Sequence, residues 1–180
     1  FLLILSFTFF IPLSAQTDSL PSFSVGIGGG MAMDSFGSSN HNDPAPSLRG
    51  ELSWHTDNNW TLQVTGEKIR NLDVGNSLSK GKIHTRSAMF RLLYEPQANG
   101  DTRPYLGAGI GLLRAKSADI DKMKQENREV TRGAAELVVG LRHSLSDRYS
   151  ITAESAYFRG MESLSDIDFF AWRLVVSHFF

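Results

Sequence analysis

FAWRLVVSHFF, residues Phe170 to Phe180, alternates with a period of two and ends on an aromatic ring. Phe170, Trp172, Leu174, Val176 and Phe180 share one parity, and only His178 interrupts them. Successive side chains on a strand point to opposite faces, so this parity defines a single apolar face. A long apolar strand with a free edge is an aggregation hazard in water. The hazard vanishes where the strand closes a barrel, which is also one of the few ways a backbone can satisfy itself inside a bilayer.

The same alternation recurs along the chain and predicts eight strands, near 22–33, 48–55, 60–70, 83–94, 104–115, 131–143, 149–160 and 169–180. Most approach the roughly 9–11 residues that a tilted strand needs to cross hydrocarbon, with 48–55 the short one. Between them Asp34–Ser47, Asn71–Lys82, Lys116–Val130 and Met161–Asp168 are long or polar. Thr56–Asn59, Pro96–Arg103 and Ser144–Arg148 are shorter and rich in turn residues. Long and short connections therefore alternate, beginning with a long one. An even-stranded barrel with both termini in the periplasm produces that order. The expectation is an all-β, eight-stranded antiparallel up-and-down transmembrane β-barrel.

One parity of these strands is apolar throughout, from Leu52 and Trp54 through Phe90, Ile110 and Leu137 to Leu174. The other carries Arg49, Arg91, Arg142 and Arg173 together with Glu51, Glu67, Glu136 and Glu154. A slip of one residue would exchange the two faces. The interior of an eight-stranded barrel is only wide enough for side chains to fill it. Arginine and glutamate inside can neutralise one another, and the apolar face then requires lipid as its solvent. The inverse arrangement is a soluble, lipocalin-like binder. Three features favour lipid. Trp54, Trp60, Tyr94 and Tyr149 fall at the predicted periplasmic ends of their strands, as an interfacial aromatic girdle does. Lysine, the expected residue of a solvated strand face, is concentrated in or near the outer loops at Lys80, Lys82, Lys116, Lys122 and Lys124. The chain's beginning and its terminal Phe180 point the same way.

That beginning, FLLILSFTFFIP followed by Leu13-Ser14-Ala15-Gln16, is too short to span a bilayer as a helix of roughly 20 residues. It reads as the apolar region of a secretory signal peptide over 1–16, truncated at its start, with the barrel domain over 17–180. The chain has 180 residues, enough for one domain. Its near-balanced charge of −1 gives no electrostatic footprint for nucleic acid. Cysteine is absent, so no disulfide framework is expected.

Phe23–Met33 (FSVGIGGGMAM), Arg103–Leu113 (RPYLGAGIGLL), Glu136–Ser155 and the last strand together resemble the small bacterial outer-membrane β-barrel superfamily. It includes the OmpA transmembrane domain and the OmpX/Ail group. In that superfamily an ending such as Trp172, Leu174, Val176 and Phe180 is similar to the signal read by the outer-membrane assembly machinery. The resemblance implies a bacterial outer-membrane location, a monomer in contact with outer-membrane lipids, and roles from membrane anchoring to adhesion. It carries over no catalytic residue and no cofactor.

Candidate chemistry has bland counterparts. Gly26, Gly28, Gly29 and Gly30 lack the dinucleotide-binding pattern, since Met31 stands where its last glycine would be. Strand glycines more often relieve crowding, and Gly107, Gly109 and Gly111 read the same way, with Tyr105 covering them. His143, Ser144 and Glu154 invite comparison with lipid A deacylases, but adjacent residues on a strand face opposite ways and a nucleophile needs its base within hydrogen-bond reach. His41, His55, His84 and His178 lack metal-ligand spacing. Asp119, Asp121, Glu126 and Glu129 lack the glycine and spacing of an EF-hand loop. Lys116–Arg132 is polar all round and reads as a loop or short exposed helix. The expectation is a non-enzymatic, surface-interaction protein, adhesin-like through a ligand at its outer loops. A narrow pore, a lipid A-modifying enzyme and the soluble binder are the alternatives.

Overall fold

The computed structural model describes residues 23–34, 43–56, 59–74, 81–96, 100–117, 129–161 and 167–180. The signal-peptide reading of 1–16 and most of the polar loops lie outside these residues. Eight strands follow in order: β1 (Phe23–Asp34), β2 (Ala45–His55), β3 (Trp60–Val74), β4 (Gly81–Tyr94), β5 (Thr102–Ser117), β6 (Glu129–Ser146), β7 (Tyr149–Gly160) and β8 (Asp168–Phe179). Each pairs antiparallel with its chain neighbours, and β8 pairs with β1 to close the barrel. The seam runs from Ser24 opposite Phe179 to Asp34 opposite Phe169, and the Phe180 N–H donates to the Phe23 carbonyl at 3.0 Å. No edge remains.

The two parities separate as the alternation requires. Ile110 is 66% exposed and Leu137 62%, on the outer wall, whereas Arg49 and Arg91 are each 1% exposed in the lumen. A wall of this composition is soluble only in hydrocarbon.

Several strands run further than the sequence predicts. β2 begins at Ala45, ahead of Leu48, because Pro46 sits at its rim opposite Met31, where a missing N–H costs least. β3 continues to Val74 through a bulge between Ile69 and Leu72, with Asn71 at a φ of 57°. Asparagine tolerates that left-handed conformation better than most residues. The bulge turns both Ile69 and Leu72 into the lumen. Residues 116–117 and 129–132, expected as loop or helix, belong to β5 and β6. With β3 and β4 extended, their connection at 75–80 is shorter than the β4–β5 turn at 95–101, so connection length alone does not alternate strictly.

The lumen is tiered. Toward the end away from Phe23 and Phe180, it is filled by Ala32, Ala45, Ile69, Leu72, Leu113, Ala134, Phe158, Phe169 and Ala171. Phe158 and Phe169 stack at 4.7 Å between centroids. Below lies an ion cluster, and below that a ring of hydroxyl and amide side chains around His55.

Candidate functional site

The ion cluster centres on Glu154 of β7. Its carboxylate receives Arg49 from β2 at 2.5 Å, Arg91 from β4 at 3.0 Å, Arg173 from β8 at 2.6 Å and the Tyr105 hydroxyl from β5 at 2.7 Å. Each arginine also holds a carboxylate of its own. Arg173 clasps Glu67 with Nε and a terminal nitrogen, both at 2.7 Å. Arg91 clasps Glu136 in the same two-pronged way, with Nε at 2.7 Å. Arg49 reaches Glu51 at 3.0 Å and the Gln63 carbonyl at 2.9 Å. Planar guanidinium groups suit such forked contacts, and full pairing is what a dry interior demands of charges.

Glycines make room for this cluster. A Cβ on Gly109 would stand 2.9 Å from the Arg91 side chain, and one on Gly140 would overlap the Tyr105 ring. Tyr105 therefore covers Gly140 on the neighbouring strand, whereas the sequence suggested that it shields Gly107, Gly109 and Gly111. Leu93, Arg91 and Met89 of β4 lie against those three.

Arg142 stands apart from the cluster. It pairs with Glu95 at 2.6 Å, and its guanidinium lies 5.8 Å from the Tyr105 ring centre. Glu95 also accepts from Thr61 at 2.9 Å. The His55 ring bridges Thr61 at 3.0 Å and Ser24 at 3.1 Å. Sequence reasoning missed Glu95 and the lumenal place of His55. Both continue an inward parity by one step, Glu95 after Arg91 and Leu93, His55 after Glu51 and Ser53. The eight arginines and glutamates singled out from the sequence all lie in the lumen.

On the outer wall Trp54, Trp60, Tyr94 and Tyr149 sit at the barrel end that carries Phe23 and Phe180. Trp60 and Tyr94 are 5.0 Å apart, and Tyr149 meets His178 at 4.9 Å, which in turn meets Phe180 at 4.6 Å. Trp172, Leu174 and Val176 face outward along β8. A second aromatic cluster, Tyr157, Phe170 and Trp172, marks the opposite end of the wall, with Tyr157 and Phe170 5.1 Å apart.

The other sequence candidates do not converge. His143 is exposed on the outer wall and bonded to the Thr102 hydroxyl at 2.9 Å, while Glu154 is sealed in the lumen. His143, Ser144 and Glu154 thus assemble no nucleophile and base. Glu129 pairs with Arg114 on the outer wall. Asp119, Asp121, Glu126 and His41 lie outside the described residues. Among the described residues no group of His, Asp and Glu gathers as a metal site.

The sequence profile of the outer membrane protein beta-barrel domain matches residues 1–180. The chain belongs to that family. Solved structures agree with this outer-membrane barrel in fold. Neisserial surface protein A superposes with a TM-score of 0.71 at 17% identity, covering 88% of this chain and 97% of the other. Ail, the attachment invasion locus protein of Yersinia pestis, gives 0.62 at 16%, covering 90% and 100%. The N-terminal barrel domain of Pseudomonas aeruginosa OprF gives 0.58 at 15%, covering 87% and 97%. At such identities the likeness is one of fold alone. No curated protein sequence matches the chain.

Proposed function

We propose that this barrel is a structural and surface-interaction protein, adhesin-like, held in the outer membrane with both termini in the periplasm. Its work is presentation: the barrel anchors the chain, and the connections 35–44, 75–80, 118–128 and 161–167 meet the surroundings. The observation that carries the reading is the sealed lumen. Ile69, Leu72, Leu113, Phe158 and Phe169 are each at most 1% exposed above an ion cluster in which every carboxylate meets a guanidinium, an arrangement that offers no solute path. The Trp54–Trp60–Tyr94–Tyr149 belt supports an interface at the terminal end. Two of the matched folds are named for cell-surface and attachment roles. The expected partners are outer-membrane lipids, the assembly machinery reading Trp172, Leu174, Val176 and Phe180, and a ligand at the outer loops. A monomer is expected.

An epitope inserted within 118–128 is expected to label intact cells, and one at 147–148 only permeabilised cells. The reverse pattern would overturn the orientation. Deleting 118–128 is expected to abolish attachment of protein-bearing cells to their target surface while leaving the folded, heat-modifiable band on gels. Undiminished attachment after deletion of each outer loop in turn would remove the adhesive role.

A further inference from the structure

On the outer wall, Gly50 of β2 stands opposite Gly66 of β3, and Gly66 opposite Ala88 of β4. All three face outward, so three neighbouring strands lack a substantial side chain at one level. A Cβ built on Gly50 or Gly66 would meet nothing within 4 Å, and neither has positive φ. These glycines therefore differ from Gly109 and Gly140, whose places are taken by Arg91 and Tyr105. Glycine weakens a strand, and one explanation for tolerating it is the close approach of something from outside. The result is a trough of about 400 Å³ flanked by Ile27 and Leu48, with Lys68 and Arg86 at its upper end.

The next outward level is cationic. Lys68 of β3 lies opposite Arg86 of β4, and Arg86 opposite Arg114 of β5. Paired strands run about 4.8 Å apart, and like charges directly opposite destabilise a sheet. Exposed Arg70 and Lys116 add charge one level higher. Among the described residues Glu129 answers them, paired with Arg114 and within electrostatic reach of Lys116 and Arg86, and Lys68 and Arg86 make no close hydrogen bond or ion pair to another described residue. An apolar trough with a cation row at its head is complementary to an acyl chain bearing a phosphate.

We infer that a phosphorylated, multiply acylated lipid of the outer leaflet docks here, one acyl chain over Gly50, Gly66 and Ala88 and its phosphate against Lys68, Arg86 and Arg114. Arginine binds phosphate through parallel N–H donors, and lysine adds a point charge. Naming the leaflet rests on the orientation proposed above. Binding itself is measurable in a micelle, which has no leaflets, so failure of one is distinguishable from failure of the other.

The experiment is native mass spectrometry of the folded protein in detergent micelles, titrated with bis-phosphorylated lipid A or its dephosphorylated form. The wild type is expected to retain one phosphorylated lipid in preference to the dephosphorylated one. Lys68→Gln with Arg86→Gln should lower that retention at least about tenfold, because each cation beside an anionic lipid contributes severalfold. Gly66→Leu fills the trough without touching a charge, and should also lower retention while the heat-modifiable gel band persists. Arg159→Gln, an exposed change on β7, should leave retention unchanged. Wild-type retention by the double variant or by Gly66→Leu would overturn the inference. So would equal binding of the dephosphorylated lipid, or a lipid-free dimer that shows a second copy of the chain occupying the face.

Discussion

The upper lumen is hydrocarbon and the middle lumen is ionic, yet the same eight strands build both. Around Phe158, Phe169, Leu113 and Ile69 the barrel is packed as any apolar interior is, and its stability comes from area removed from water and close contact. Around Glu154, three guanidiniums and three further carboxylates replace that packing with ion pairs. An apolar interior would be at least as stable, since paired buried ions regain little beyond their own desolvation. What the ions add is direction. Where both faces of a strand are apolar, a one-residue slip goes unpunished; where one face carries Arg173 or Glu154, a slip puts a charge into lipid. The apolar tier seals the barrel and the ionic tier fixes its register.

The largest effect expected from breaking this contrast is at Arg173. Arg173→Leu leaves Glu67 without either of its guanidinium contacts, and should destabilise the fold by about 3–5 kcal/mol in a denaturant titration from lipid vesicles. Adding Glu67→Leu should recover most of that loss, since a removed pair costs far less than a broken one. A double variant as unstable as the single would show that the pair itself supports the tier. Leu113→Ala, in the apolar tier, should cost about 3 kcal/mol by opening a cavity, with no companion change able to rescue it by charge. Tyr105→Phe removes one donor from Glu154 while its three arginines remain, so about 1.5 kcal/mol is expected from the same titration. Arg70→Gln, exposed on the outer rim and outside both tiers, should fall within about 0.5 kcal/mol of the wild type. Planar-bilayer recordings of the wild type should show no discrete currents, whereas steps of constant size would mean the Phe158–Phe169 tier opens.

The same contrast explains what could be read from the chain. In the ionic tier one parity is charged and the other apolar, so strand, face and lumen were legible from Arg49-Gly50-Glu51 or from Arg173 between Trp172 and Leu174. In the apolar tier both parities are hydrophobic. Leu112-Leu113, Tyr157-Phe158 and Phe169-Phe170 each place one member in lipid and the other in the lumen, and which is which follows only from the parity carried in from the rest of the strand. The bulge beside Asn71 hid the end of β3 for a related reason, because an extra residue breaks the period that reveals a strand. Glu95 was lost by one step, lying just past the last residue assigned to its strand. The row Lys68, Arg86 and Arg114 was invisible because it is created by register between strands far apart in sequence. No local pattern encodes it.

Glu154 draws its guanidiniums from β2, β4 and β8, the last of which arrives only after the seven strands before it. Until then the site holds a buried-to-be anion with a missing counterion, in a sheet whose first and last strands are still apart. The cluster thus works as a latch that engages in one step, when the seam zips. A partly inserted chain has no comfortable resting place short of that closure.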